Sequence, residues 1–329
     1  KVQVETREDT ISNIASYFCV KANLLQRHYK KKTSGFKQWD QLDHAEDYLI
    51  YPENIGENLS IDELSLSKGE IYTFLTNKQG KGKKKSLVAV IKGTKSQDII
   101  DVITKIPLEK RKSVKAITLD MANNMQLAAR MCFPESYLVT DRFHVVKLVM
   151  EAMQHLRIKY RWEEIEKENL AIKAAKKQGI KYIPTTLEND DTPKQLLARS
   201  RYIIAKRPDQ WTENQKVRAA LLFKNYPLLH QAYKHTMEFR SIYEQTVRDI
   251  AEQKFIDWIS KTKELKMTVF NTAANSLTYH LETILNFFVK RHTNANAESF
   301  NSKIKLFRAN QRGVVDTKFF LFRMEKLFS

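Results

Sequence analysis

Five short apolar runs between residues 58 and 141 constrain the fold of this chain more than any other feature. The first three, at 58–64, 71–76 and 87–91, follow one another with only turns between them. The second turn reads NKQGKGKKKS and is rich in Gly and Lys. Because neighbouring strands joined by short turns pair antiparallel, these runs predict a three-stranded meander.

The last two runs, at 115–120 and 137–141, are each reached through a helical pattern. The segment SQDIIDVITKI repeats isoleucine at helical spacing, and residues 123–133 form a second such segment that ends before Pro134. Strands connected through a helix are expected to be parallel, by a right-handed crossover. The order β-β-β-α-β-α-β predicts an α/β fold with an RNase H-like core, a mixed five-stranded sheet in the order 3-2-1-4-5.

Helical patterns occupy the rest of the chain. Residues 8–32 contain two short amphipathic segments, and the second ends in three lysines, which is typical of a helix-turn-helix or of an ordinary helical hairpin. Later segments lack alternating runs, and we expect their tryptophans Trp162, Trp211 and Trp258 to lie in a core. The predicted divisions are an N-terminal helical region at 1–45, the first part of the core at 55–145, an all-helical insertion at 146–290 and the last part of the core at 291–329.

The charge of the chain favours a polyanionic partner. Its 329 residues include 56 Lys and Arg against 38 Asp and Glu, a net charge of +18. Such an excess is typical of proteins that bind nucleic acid, and it is also found on basic surfaces with no such role. The two cysteines, Cys19 and Cys132, form no metal-binding or disulfide pattern, which fits a reducing cytosol. We expect no signal peptide and no membrane span.

Three acidic residues are placed where they could share a metal ion. Asp62 lies in the first predicted strand, Asp120 ends the fourth, and Glu298 begins a late basic helix, ESFNSKIKLFR. If the first and fourth strands are neighbours, the two aspartates lie side by side, and the helix could cover them. Hard oxygen ligands favour Mg²⁺ or Mn²⁺, and a pair of ions suits phosphoryl displacement. Taken singly, each acid could instead be a turn or helix-end residue.

Asp141 is a rival for the second acid. It also ends a strand, and His144 lies about one helical turn beyond it. We prefer Asp120, because the fourth strand adjoins the first while the fifth is one strand further away. Asp141 could cap the helix that follows it, and with His144 it could orient the ligands or contact DNA. Glu63 adjoins Asp62 and is expected on the opposite face of the sheet.

Basic residues near these acids and in the N-terminal helices are candidates for DNA binding. Asn301 and Lys305 follow Glu298 by three and seven residues and share its face of the helix. Contacts from such residues to phosphates position DNA without reading its sequence. Each could equally belong to a solvated basic helix. The full set of candidates comprises Arg27, Lys30, Lys31, Lys32, Arg142, Asn301, Lys303, Lys305, Arg308 and Arg312.

Several segments resemble those of the ISL3-type insertion-sequence transposases. SIDELSLSKGEIYTFLTN resembles the first acidic motif of that family, and TLDMANNM followed by VTDRFHVVKLV resembles the second. RHTNANAESFNSKIKLFRANQRG is similar to the terminal acidic motif, and ARSRYIIAKRPDQWTENQKVRAALLFKNYPLLHQAYKHTMEFRSIY to the helical region. The resemblance covers about residues 45–313 and is strongest to the ISAon1-like branch. Residues 122–124 follow the second acid in a variable stretch and do not distinguish between the candidates.

The resemblance implies a function for the three acids. It assigns Asp62, Asp120 and Glu298 to a DDE triad that binds Mg²⁺ or Mn²⁺, with two ions, cleaves double-stranded DNA at transposon ends and joins the 3′-hydroxyl to target DNA. It also implies a homodimer on DNA, acting in the cytoplasm of a prokaryote in association with the nucleoid. Two other functions remain open at this point: a catalytically inactive DNA-binding regulator derived from a transposase, and an RNase H-like nuclease that performs no strand transfer.

Overall fold

The computed structural model of the protein describes residues 1–67, 69–291, 295–311, 314 and 316–329, with the side chains of all of these except 66, 67 and 295–298. The chain divides into two compact units, Lys1–Arg142 with Lys290–Ser329, and Phe143–Val289. We call them the sheet unit and the helical unit, because all strands assigned to described residues belong to the first.

A mixed sheet of six strands lies at the centre of the sheet unit, in the order β1-β4-β3-β2-β5-β6. Three of the strands, β2, β3 and β4, form an antiparallel meander, while β5 and β6 run parallel to β2. The structure therefore has the predicted α/β class. The strands are β1 (Tyr48–Ile50), β2 (Asn58–Ser67), β3 (Glu70–Asn77), β4 (Leu87–Lys92), β5 (Ala116–Leu119) and β6 (Tyr137–Thr140).

The sequence predicted five strands, and the sheet has six. Strand β1 pairs antiparallel with β4 at the edge of the sheet, where Leu49 lies opposite Val90. A segment of three residues is too short to show the alternation by which a strand is recognised in a sequence. Its position is set by pairing with β4, a contact between residues about forty positions apart, which local pattern does not encode.

Eight helices assigned to described residues lie wholly in the sheet unit. Helix α2 (Ile11–Tyr17) is capped by Thr10, whose hydroxyl accepts a hydrogen bond from the Asn13 amide at 2.9 Å. Helix α3 follows α2 after a short break and continues into a π-helical turn at Tyr29–Thr33. The eight are α1 (Val2–Thr6), α2 (Ile11–Tyr17), α3 (Ala22–His28), α4 (Ser96–Ile103), α5 (Leu108–Lys112), α6 (Asn123–Cys132), α15 (Ala295–Asn310) and α16 (Thr317–Phe328).

The two faces of the sheet carry separate apolar cores. On one face, Leu59, Ile61 and Ile117 pack against α4 and α6. On the other face, Leu64 and Phe74 pack with side chains of α15, α16 and the N-terminal helices. Because side chains alternate between faces along a strand, Ser60 and Asp62 lie on the same face as Leu64. Helix α15, which contains Glu298, therefore covers the face of the sheet to which Asp62 belongs.

Helices make up the regular structure of the helical unit, all of whose residues are described. Trp258 is buried as expected, but Trp162 is 60% exposed, so its assignment to a core was wrong. It lies on the face of α7 opposite the one that packs within the unit. The helices are α7 (Arg142–Lys177), α8 (Pro193–Arg199), α9 (Glu213–Asn225), α10 (Pro227–Ile242), α11 (Arg248–Glu264), α12 (Asn271–Tyr279), α13 (Leu281–Leu285) and α14 (Phe287–Lys290), the first and last of which extend by one residue into the sheet unit.

Candidate active site

Two of the predicted acids come together through the pairing of β2 with β5. These strands run parallel, and their last paired residues are Ser60 and Thr118. Two residues further along each strand are Asp62 and Asp120. Because side chains repeat every second residue, both aspartates share the face of Ser60 and Thr118, with α-carbons about 5 Å apart if the register continues.

Asp141 extends this pair into a row. Strands β5 and β6 are parallel with Leu119 opposite Thr140, so the next position places Asp120 opposite Asp141. The Asp141 amide donates to the Leu119 carbonyl at 2.8 Å, which continues the ladder to this point. We call Asp62, Asp120 and Asp141 the aspartate row. It runs from the middle of β2 across the carboxyl ends of β5 and β6, where parallel strands commonly carry functional groups.

Two hydrogen bonds hold the Asp62 carboxylate. Its Oδ1 accepts from the Glu63 amide at 2.8 Å, and its Oδ2 accepts from Nδ2 of Asn301 at 2.6 Å. Asn301 belongs to α15 and is only 6% exposed, so it fixes the helix against the row. Glu298 lies three residues earlier in the same helix, and its side chain falls outside the described part of the chain.

Asp120 is held by the turn that follows β5. Its Oδ1 accepts a hydrogen bond from the Ala122 amide at 2.8 Å, an arrangement that aspartate adopts readily after a strand. The side chain is half-buried, and within the described part of the chain no Lys, Arg or His forms an ion pair with it. Asp120 thus lies near Asp62 without an ion-pair partner among the described residues.

The electrostatic potential around the aspartate row is negative. Burial raises the pKa of Glu63, and the charges of Asp120 and then Asp62 raise it further. Glu63 was expected on the face of the sheet opposite to Asp62. Because β2 continues beyond the end of β5, the Glu63 carboxyl is nevertheless close enough to Asp62 and Asp120 for their charges to raise its pKa. Three carboxylates that repel one another in this way create a site that favours a cation.

The end of the row at Asp141 differs from the rest. Asp141 is 2% exposed, and Lys78, in the turn after β3, approaches it. Lys78 Nζ donates to the Thr118 hydroxyl, and burial lowers the pKa of Lys78 to about 8, an effect that the charge of Asp141 opposes. Sequence reasoning missed Lys78, because it stands among several similar lysines in a Gly-rich turn and only the fold distinguishes it.

The donors present fit a divalent cation. Besides the carboxylates of Asp62 and Asp120, Oδ1 of Asn301 is buried and has no hydrogen-bond partner within the described part of the chain. Carboxylate and amide oxygens are the ligands that Mg²⁺ and Mn²⁺ prefer. Over the same described residues, His, Cys, Asp and Glu side chains do not form a group of three or more arranged to hold a metal ion, and the Glu298 side chain lies outside that range.

Eight of the ten predicted DNA-binding residues fall into two sets. Lys30 pairs with Asp316, Lys303 Nζ donates to the Gly82 carbonyl at 3.0 Å, and Arg308 donates to the Ser65 carbonyl at 3.0 Å, so these three stabilise the fold. Asn301 faces Asp62, as described above. His144 is half-buried, and Arg312 lies outside the described residues. The exposed set comprises Arg27, Lys31, Lys32, Arg142 and Lys305.

Comparisons with known proteins agree with the motifs. The family model for DDE-type ISL3 transposases, described as "Transposase", matches residues 59–324. The chain is also 23% identical over 275 residues to the "Transposase for insertion sequence element IS1001" of Bordetella parapertussis, an alignment that covers 83% of this chain and 61% of that protein. The chain thus matches about three fifths of that relative's length. In the described residues, none of the helices is long and apolar enough to span a membrane. Because the family model covers most of the chain, this protein belongs to the ISL3-type transposase family.

Proposed function

We propose that the protein is a DNA transposase that cuts DNA at transposon ends and joins the 3′-hydroxyl to target DNA, with Asp62, Asp120 and Glu298 as its catalytic acids. The observation that carries this proposal is the placement of Asp62 beside Asp120 on the face that α15 covers. Family membership supports the function, and all three acids lie within the matched segment, as does the rival Asp141.

The order of the strands supports an RNase H-like core. An antiparallel meander, β4-β3-β2, continues into two parallel strands, β5 and β6, each reached through a helix. The first strand of the meander lies in the middle, beside the strand that carries the second acid. We propose that β1 is an addition at the edge, and that the helical unit interrupts this core between β6 and α15.

The proposed chemistry is phosphoryl transfer assisted by Mg²⁺ or Mn²⁺, with two ions. When bound, the ions activate the attacking oxygen and stabilise charge on the leaving oxygen. The chain's own residues supply the geometry: Asn301 fixes the orientation of Asp62, and the Ala122 amide fixes that of Asp120. In this reaction the protein forms no covalent intermediate with DNA, so it needs no Ser, Cys or Tyr nucleophile.

Asp141 has a supporting role in this proposal. Its charge is opposed by Lys78, which also donates to Thr118 beneath the row. A carboxylate whose charge is offset attracts a metal ion less than Asp120 does. We therefore propose that Asp141 and Lys78 position the end of β5, and through it Asp120, and that neither binds the metal.

We propose that double-stranded DNA is bound mainly through its phosphates by two copies of the chain, one for each transposon end. The net charge of +18 and the exposed cations Lys31, Lys32, Arg142 and Lys305 support such contacts. Each phosphate contact releases counterions, so the affinity for DNA is expected to fall steeply as salt rises from low to physiological concentration.

The direct test uses labelled duplex DNA that carries the inverted repeats flanking the gene, with Mg²⁺ or Mn²⁺, and scores cleavage and joining separately. We expect both reactions from the wild type and from Glu109→Gln, a control acid whose side chain is 86% exposed. Cleavage without joining would favour a nuclease, and binding without either reaction would favour an inactive regulator; both results contradict the proposal.

A further inference from the structure

Helix α7 carries an exposed apolar stripe. Ile158, Trp162 and Ile172 are 40%, 60% and 41% exposed, respectively. Ile165 is half-buried and Asn169 is exposed. These residues are separated by four, three, four and three positions, the heptad spacing that keeps side chains in line along one side of a helix. The stripe runs from 158 to 172, about 22 Å at 1.5 Å per residue.

The opposite side of α7 packs within the helical unit. The ring of Tyr160 lies 5.2 Å from that of Tyr226, and Glu168 pairs with Lys194. Met153 and Leu156, earlier on this side, are buried. At 100° per residue, the centre of this packed side lies about 140° around the helix from the stripe. The stripe is therefore not part of the unit's own core.

The stripe fits the heptad positions of a coiled coil, and its one polar residue selects a two-stranded pairing. In heptad notation, Trp162 and Asn169 occupy a positions, and Ile158, Ile165 and Ile172 occupy d positions. A single Asn at an a position fixes register, because its amide can pair with the same Asn of a parallel partner. In an antiparallel pair the amide would instead be buried against isoleucine, which leaves its hydrogen bonds unmade.

Charges beside the stripe fit the same arrangement. Arg161 is at a g position and Glu166 at the following e position, and both are exposed. In a parallel dimer, the g residue of one helix faces the e residue of the next heptad in the other, so Arg161 of each copy would meet Glu166 of its mate. The residues beside the stripe thus complement a second copy of the same helix.

We propose that two copies of this chain associate through α7 as a parallel, in-register coiled coil centred on residues 158–172. This inference rests on the dimer in the proposed function and not on its metal chemistry. The seam spans two heptads, shorter than a stable isolated coiled coil needs, so the dimer is concentration-dependent and strengthens when DNA brings two copies together.

Disulfide cross-linking tests the register. In a Cys19→Ser background, Asn169→Cys places one thiol at the seam, where a parallel dimer brings the two copies within disulfide reach. Leu170→Cys, at an exposed position outside the stripe, is the matched control. We expect rapid dimer formation under mild oxidation for Asn169→Cys and at least about tenfold less for Leu170→Cys. Equal cross-linking of the two variants, or none in either, overturns the proposal.

Sedimentation provides a second readout that is independent of DNA cleavage. The wild type is expected to shift from monomer to dimer as its concentration rises, as is Leu170→Glu. Trp162→Glu puts a charge at the centre of the seam on an exposed side chain, so it is expected to fold and remain monomeric over the same range. A monomeric wild type, or a Trp162→Glu chain that dimerises like wild type, contradicts the coiled coil and leaves the catalytic proposal standing.

Discussion

Each unit of the molecule contains a cluster of polar groups around a buried aspartate, and the two clusters differ in charge balance. In the helical unit, the Asp191 side chain is fully buried, paired with Arg199 and with Arg218, whose Nε lies 3.0 Å from its Oδ2. Asn189 donates a further hydrogen bond at 2.9 Å. In the sheet unit, Asp120 lies beside Asp62 and Asp141. Their negative charges add to that of Asp120, so the cluster favours the binding of a cation.

This difference separates a structural role from a functional one. The Asp191 cluster contains its own counter-charges, so folding alone satisfies it. The aspartate row concentrates negative charge, which costs stability in the free protein and favours the binding of a cation. Substitutions should therefore have opposite consequences in the two clusters. In the aspartate row they should lower activity and leave stability unchanged, and at Asp191 they should lower stability and leave DNA cleavage unchanged.

Asp62→Asn is expected to lower activity more than the substitutions at Asp191 and Lys78. The amide keeps the size of the side chain, and its single oxygen can still accept one of the two hydrogen bonds, but it lacks the charge that holds a divalent ion. We expect cleavage and joining to fall by at least roughly 10²–10³-fold, because the metal's stabilisation of charge in the transition state is lost. The melting temperature should be unchanged or slightly higher than that of the wild type. A marked drop in melting temperature would show that Asp62 stabilises the fold.

Asp191→Asn is expected to destabilise the helical unit by about 1–2 kcal/mol, because Arg199 and Arg218 lose the buried carboxylate between them while water still reaches both. Urea unfolding measures this, with Glu213→Gln as a control, since the Glu213 side chain is 86% exposed. Cleavage per folded molecule should match the wild type. A stable Asp191→Asn variant with impaired cleavage would contradict the contrast between the clusters.

Lys78→Met tests the balance of charge between Lys78 and Asp141 at one end of the aspartate row. Removing the cation leaves Asp141 buried without that opposing charge, which should disturb β5 and lower activity by about 10–100-fold. Adding Asp141→Asn to Lys78→Met should restore activity to the level of Asp141→Asn alone, since both charges are then absent. If the double variant is worse than either single one, the two residues act independently.

The pH dependence of stability gives the smallest expected effect. Burial lowers the pKa of Lys78 from 10.5 to about 8, so between these values the unfolded chain binds more protons than the folded one. The free energy of unfolding should therefore gain a contribution from Lys78 as pH rises from about 8 towards 10.5. Below pH 8 the lysine is charged in both states and contributes no slope. Lys78→Met should remove this rise when compared with the wild type by urea unfolding from pH 7 to 9.5.

Features with a strong local signal could be predicted from the sequence. The five longer strands and helix α6 were recognisable because apolar runs of four or more residues are bounded by turns or by Pro134. The pairing of β2 with β5, which brings Asp62 near Asp120, follows from a strand order that the crossover rules restrict. Strand β1 was missed because it is three residues long.

Other features depend on tertiary contacts that no local pattern encodes. Lys78 resembles the lysines around it, and only the fold buries it against Thr118. Trp162 looked like a core residue because of its size, but its side of α7 faces away from the unit's core. Asn301 was interpreted as a DNA contact, which stays a prediction, and its buried hydrogen bond to Asp62 has no signal in the local sequence. In each case the side chain's partner lies far away in the sequence.

The measurement that most directly tests the catalytic site compares Asp120→Asn with Asp141→Asn on intact and pre-nicked end DNA. We predict that Asp120→Asn abolishes both cleavage of intact ends and joining of pre-nicked ends while DNA binding persists, because it removes a metal ligand. Asp141→Asn should retain both reactions with a loss of about 10–100-fold, as expected for a residue that orients its neighbours. An inactive Asp141→Asn together with an active Asp120→Asn would show that the second acid is Asp141.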